Sequence, residues 1–378
     1  MLGRAGLMIA TYVGLGLPGA ALGVAWPSMR TEVGRPLSSL GLLFGAFTIG
    51  YLLATTGHGR TATRVGTGAL LVTASVLAAA ASGAFALTST WAVLLGAAAG
   101  LGLSGGVIDA ALNAHVALYR SDRMMHLMHG GFGIGATAGP LLMTALIGSG
   151  LSWRWGFAAI AGLQVGLAVG FLATRHQWPV AVAPPRAIGR PSGPRPAAAW
   201  LGPLVFLAYG AVEVGVGAWA FVLLTSRGLG DTAAGVSVTA YWAALAAGRL
   251  GIGALGSRVT SGQVVTGSVV GVGVGAVALW WLPAAASPVG LVVLGASLAG
   301  IFPALTALTP TRVGPERSTA VIGRQLAAAV VGGAAGSAAI GIVAQHLGAA
   351  AIAPAIVVVS LLLVAADAAL TAVSGRNC

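Results

Sequence analysis

The sequence predicts an all-α membrane protein with twelve transmembrane helices in two pseudo-symmetric six-helix bundles. Three observations predict it. Of the 378 residues, 57% are hydrophobic and only 7% charged, with a mean hydropathy of +0.94, whereas a soluble domain carries about 25% charged residues. Twelve runs are apolar over the roughly 20 residues a helix needs to cross hydrocarbon. One Pro- and Arg-rich stretch falls halfway along the chain. The 60 glycines suit helices whose backbones approach closely in lipid.

The first run, 5–28, is about 25 residues long and lacks a cleavage-site pattern, so it reads as a span and not a signal peptide. Runs at 37–57 and 67–87 flank the short turn "GRTATRVG". The fourth, 91–118, is apolar at nearly every position yet holds Asp109. The fifth, 126–148, contains "HGGFGIGATAGP", and "SWRWGF" introduces the sixth, 155–173. Residues 174–199 carry six prolines and four arginines; no span tolerates that, so they read as a flexible cytoplasmic linker. The second set lies at 200–224, 232–254, 262–282, 288–310, 319–344 and 348–372. "GVGVGAVAL" at 271–279 falls inside a span and reads as packing, not as a nucleotide loop. The domains are therefore 1–173, the linker 174–199, and 200–378.

All 19 basic residues are arginine, and the net charge is +12. Because they sit in short loops beside apolar runs, the expected partner is the lipid bilayer and not nucleic acid. With the N-terminus in the cytoplasm, inside segments hold 13 arginines and outside loops only Arg30, Arg35, Arg154 and Arg227. The positive-inside rule then places both termini in the cytoplasm of a cell (inner) membrane. Tryptophans near span ends, Trp26, Trp91, Trp153, Trp155, Trp200, Trp280 and Trp281, are expected to anchor at the interface. The single cysteine, Cys378, excludes an intrachain disulfide.

The halves repeat. Arg64-Val65 and Arg258-Val259 coincide at an offset of 194, and "GLGLSGG" at 100–106 aligns with "GASLAGI" at 295–301 at 195. Duplicated halves place a solute site near the midplane where they meet.

Twelve spans, a central linker and the two basic loops resemble the major facilitator superfamily. Its loop between the second and third helices follows G-x-L-x-D-R-x-G-R; here Gly59, Arg64 and Gly66 match, with Thr63 in the acidic place. The second copy keeps Gly253 and Arg258, with Ser257 in the acidic place. Gly59, Arg64, Gly66 and Arg258 are the expected cytoplasmic gate, and the missing carboxylates put the family's charge latch in question. "IDAALNAHVAL", "HGGFGIGATAGP", "SWRWGF", "YGAVEVGVGAW", "YWAALAAGR" and "GASLAGIFP" resemble the fucose-permease-like branch of sugar–proton symporters. That resemblance sets Asp109 at the branch's fourth-helix glutamate, which takes part in proton coupling. The first-helix acid of those permeases is absent here.

An acid at bilayer depth costs about 2.5–3.5 kcal/mol on insertion scales, so Asp109 and Glu213 are the candidate proton-coupling groups. Asp109 and Asn113 share a helical face, and His129, on the returning fifth helix, is expected at their depth, where the three would form one polar cluster. Tyr209 lies one turn before Glu213. Arg324 and Gln325 open the eleventh span, with the guanidinium suited to hydroxyls, a carboxylate or Glu213 itself. Gln164, Trp219 and Trp242 complete the candidate substrate site. Arg249 is read as snorkelling or pinning the eighth helix, and Asp367 has no account. Gly135, Gly139 and Pro140 resemble the start of a drug–proton antiporter motif, though helix packing explains them equally.

No P-loop and no metal-ligand spacing of His, Cys or Glu occurs, so neither an enzyme nor a cofactor or metal is expected. The expected activity is secondary transport of a small polar, sugar-like solute coupled to protons by a monomer. The alternative is a proton-coupled antiporter exporting a drug or metabolite.

Overall fold

In a computed structural model, the structure describes residues 3–119, 122–178, 197–255 and 258–374. Most of the linker, 179–196, and Cys378 lie outside them. Twelve α-helices account for nearly all of the described chain: α1 (Arg4–Val33), α2 (Leu40–Val65), α3 (Thr67–Leu87), α4 (Trp91–Tyr119), α5 (Asp122–Gly148), α6 (Arg154–Thr174), α7 (Ala198–Ser226), α8 (Asp231–Leu255), α9 (Ser261–Trp281), α10 (Ser287–Val313), α11 (Pro315–Leu347) and α12 (Ile352–Ser374). No strand occurs among the described residues. Counted over the described residues alone, eleven helices are long and apolar enough to cross a membrane. Several helices outrun their apolar stretches: α1 continues to Val33, α2 to Val65, and α11 begins at Pro315. Backbone hydrogen bonding continues where hydrocarbon ends, so hydropathy alone marks these ends too short.

The chain divides into two compact units, Met1–Pro36 with Leu42–Arg186, and Leu37–Gly41 with Ala187–Cys378. Within the first unit, α1 packs along α5 and α3 packs on α4 and α6. Within the second, α7 packs along α11, α10 on α8 and α9, and α12 on α7 and α9. The α1–α5 and α7–α11 contacts are backbone on backbone. A methyl carbon at Gly135 would lie 2.0 Å from the Val13 carbonyl oxygen, and one at Gly210 would lie 2.0 Å from that of Ala329. Glycine is what allows that approach.

The two units share local detail. Gly34 (φ +67°) and Gly228 (φ +91°) close α1 and α7 with the same left-handed turn. The amide of Arg35 donates to Arg30 and that of Leu229 to Leu224, the pattern of a glycine-closed helix end. A guanidinium covers the C-terminal carbonyls of the third helix of each unit. Arg154 Nη1 donates to the Ala86 and Thr88 carbonyls, both at 3.1 Å. Arg227 donates to those of Leu279 (2.5 Å) and Trp280 (3.1 Å). Such carbonyls have no partner within their own helix.

Two expected interfacial anchors are internal. Trp26 is fully buried against Trp91. Trp153 is buried and donates Nε1 to Glu32 Oε2 at 2.9 Å. Each indole satisfies packing within the unit before any lipid contact. Trp155, Trp200, Trp280 and Trp281 are exposed.

Candidate functional site

Each unit holds one intramembrane carboxylate with phenol neighbours, built differently. In the first, Asp109 on α4 is half-buried. Its Oδ1 accepts from the Tyr12 hydroxyl of α1 at 2.7 Å and from Asn113 Nδ2 at 2.9 Å. Its Oδ2 accepts from the Tyr51 hydroxyl of α2 at 2.7 Å. All three donors are neutral. The four-residue spacing on α4 puts Asn113 one turn from Asp109. Tyr12 is reached because Gly131 of α5 lies against Ile9 and Tyr12, and Tyr51 because Gly106 of α4 lies against the Tyr51 backbone. His129 sits beside the cluster: its ring meets the Tyr12 ring edge-on with centroids 5.2 Å apart, and it is exposed. The structure thus brings Asp109, Asn113 and His129 into one neighbourhood with Tyr12 at its centre.

In the second unit the carboxylate has a cation. Arg249 Nη2 of α8 lies 3.4 Å from Glu213 Oε1 and 3.1 Å from the Tyr209 hydroxyl, both on α7. The two side chains of the ion pair are 29% and 14% exposed. The Tyr241 hydroxyl donates to the Glu213 backbone carbonyl at 2.9 Å. Arg249 therefore pins α8 to α7, one of the two roles expected of it, and does so through the candidate proton-coupling acid.

The remaining candidates are spread out. Arg324 stacks its guanidinium over the Trp200 ring at 5.2 Å. Gln325 is buried, accepts from the Thr309 hydroxyl at 3.1 Å and lies against Gly202; it joins α10, α11 and α7. Gln164 is buried and donates to the Gly14 carbonyl at 3.1 Å, joining α6 to α1. Trp219 is fully buried, with Nε1 donating to the Ser337 carbonyl at 2.8 Å. Trp242 is buried with its ring against Gly217. All four sit in helix-to-helix contacts; Gln325, Gln164 and Trp219 each supply one hydrogen bond across the seam, whereas Trp242 Nε1 has no hydrogen-bond partner among the described residues.

Of the basic-loop residues, Gly59 and Arg64 end α2, Gly66 (φ +83°) opens α3, and Arg258 lies between α8 and α9. Arg64 and Arg258 are exposed and make no hydrogen bond or ion pair with the described residues. The side chains of Thr63 and Ser257, in the acidic places of the loop pattern, lie outside the described residues, as do those of Arg60, Arg120 and Arg123. Asp367 is buried on α12, and its Oδ1 has no hydrogen-bond partner among the described residues. Gly135 and Gly139 rest on the Val13 and Leu17 carbonyls, so α1–α5 packing accounts for the glycines of the antiporter-like pattern.

Sequence reasoning missed Tyr12, Tyr51 and Tyr241. The signal was available: the chain has five tyrosines, and phenols at bilayer depth need acceptors. It also missed Glu32, which accepts from Arg154 (Nη2–Oε1 2.6 Å) and Trp153 and ties the ends of α1 and α6 together.

The family model described as Major Facilitator Superfamily matches residues 8–336. No curated protein matches the chain by sequence. Among solved structures, a bacterial homolog of the human lysosomal transporter Spinster, inward-facing and occupied, is 15% identical. It aligns over 97% of this chain and 96% of its own with a TM-score of 0.80. The nucleoside transporter NupG is 14% identical over 97% and 98% of the two chains, with a TM-score of 0.74. The peptide transporter POT, in complex with sulfate, is 12% identical over 97% and 94%, also at 0.74. At these identities the likeness is one of fold.

Proposed function

We propose that this chain, which belongs to the Major Facilitator Superfamily, is a secondary transporter that moves a small polar solute across the membrane by alternating access, coupled to protons. The observation that carries the reading is Asp109: a carboxylate at bilayer depth whose hydrogen bonds all come from neutral donors, Tyr12, Tyr51 and Asn113. Among the described residues it has no salt-bridge partner, so no cation balances it when it is ionised, and taking up a proton would leave the site neutral. Glu213 differs, since Arg249 balances its charge. In this reading Asp109 carries the proton, and the Glu213–Arg249–Tyr209 group breaks and re-forms as the access side changes.

A sugar-like solute fits the fucose-permease-like stretches and the neutral hydrogen-bonding groups around Asp109. NupG, a nucleoside transporter, makes ribosides natural members of the same screen. The antiporter reading has no observation of its own, because its glycine pattern is occupied by packing.

The test is proton movement. Purified protein is first screened by thermal shift against sugars, polyols, nucleosides, organic acids and drugs, and then reconstituted in vesicles containing a pH dye. Addition of the stabilising solute should acidify the lumen as protons enter with it. Solute uptake without proton movement would end the coupled reading, and outward proton release would favour exchange.

A further inference from the structure

In the second unit, α9 and α12 leave a groove of about 600 Å³ between them. Gly273 and Ser360, one small residue on each helix, give it depth, and Val270, Val277, Leu361 and Val364 form its walls. Val270, Val277 and Leu361 are exposed. Both helices are long and apolar enough to cross a membrane, so the groove faces hydrocarbon and can take a hydrocarbon chain. Helix packing does not account for Gly273. Gly271 and Gly275 lie against Ser297 and Leu294 of α10, whereas a methyl carbon at Gly273 would meet nothing within 4 Å. Glycine inside a helix is destabilising relative to alanine, and the space this one leaves is the groove.

One end of the groove carries a cation. The lining reaches Ala278 of α9, and just beyond it the Arg227 guanidinium lies on the Leu279 and Trp280 carbonyls. Those carbonyls take two of its five N–H donors. Asp231, four residues along the chain, makes no ion pair with it. Trp280 and Trp281 at the same end are exposed, as indoles are at the level of lipid headgroups. From Val269 to Ala278 the groove follows α9 for about 14 Å. That is close to the depth of one leaflet, roughly half of a 30 Å hydrocarbon core.

We infer that the groove holds an acyl chain of one phospholipid with an anionic headgroup, its phosphate at Arg227. The apolar walls supply dispersion contacts, which do not discriminate among headgroups. The guanidinium supplies the selection: an anionic headgroup has no cation of its own, whereas a zwitterionic one does. The inference concerns lipid binding alone and is independent of the transport reading.

The full-length protein, washed in mild detergent to remove loosely held lipid, is incubated with phosphatidylglycerol or phosphatidylcholine of the same acyl chains. Native mass spectrometry counts the lipids retained. The protein should keep one phosphatidylglycerol under conditions that remove phosphatidylcholine. Gly273→Leu, which fills the groove, should lower that retention severalfold, and Arg227→Gln should bring the two lipids level. Gly166→Leu is the control: Gly166 is exposed on α6 of the first unit, where an added methyl carbon also meets nothing within 4 Å, and this variant should match the parent. If Arg227→Gln, which also uncovers the end of α9, does not fold, the comparison of Gly273→Leu with Gly166→Leu decides. Equal retention of the two lipids by the parent overturns the inference. So does a Gly273→Leu variant that retains phosphatidylglycerol as Gly166→Leu does. A parent dimer that Gly273→Leu converts to monomer would give the groove to a second copy of this chain and overturn it likewise.

Discussion

Asp109 is held asymmetrically: Oδ1 takes two donors, Tyr12 and Asn113, and Oδ2 takes only Tyr51. Removing the Tyr51 hydroxyl strips one oxygen of its donor, whereas removing that of Tyr12 leaves Asn113 in place. Tyr51→Phe should therefore lower the thermal unfolding midpoint more than Tyr12→Phe, each by an amount near the ~0.6–2 kcal/mol of an intramembrane hydrogen bond. Equal effects would show that the two oxygens are not distinguished. The Glu213–Arg249 pair behaves differently, because neutralising one partner strands the other charge. Glu213→Gln and Arg249→Gln should each destabilise, by less than the roughly 3–5 kcal/mol of a fully buried pair because both side chains are partly exposed. The double substitution should recover part of the loss in the same unfolding assay.

Helix pairs are set by glycine, and only where backbones touch. Gly135 and Gly130 are close on α5, yet a side chain at Gly135 would strike the Val13 carbonyl while one at Gly130 meets nothing within 4 Å. Gly135→Val should abolish folded, monodisperse protein in size-exclusion chromatography, and Gly130→Ala should be recovered at wild-type levels. Sequence reached this scale unevenly. α3 was legible to the residue, since Gly66 and Thr88 bound an unbroken apolar run of Thr67–Leu87. The ends of α1, α2 and α11 were not, because a helix continues past the apolar stretch on hydrogen bonding alone. Asp109 and Glu213 stood out by the cost of placing an acid in oil. The phenol partners of Asp109 and the arginine partner of Glu213 come from other helices, and no spacing along the chain records such a meeting. Gln164 and Gln325 stood out in the same way, as amides in apolar spans; their partners, the Gly14 carbonyl and the Thr309 hydroxyl, also come from other helices.

Across the whole molecule, the two units carry unlike acids, one among neutral donors and one paired with arginine, and the proposed coupled cycle assigns them unlike tasks. Arg4 donates to the Gln177 carbonyl, so the start of α1 and the end of α6 share a side; the positive-inside rule predicts that this side is cytoplasmic. A membrane-impermeant maleimide should label Cys378, the single cysteine, in inverted vesicles and not in intact cells. The most direct test of the account separates movement of solute from its coupling to protons. In vesicles, Asp109→Asn should keep solute counterflow, which needs only alternating access, and lose accumulation driven by a proton gradient. Accumulation at the wild-type level by Asp109→Asn would contradict it.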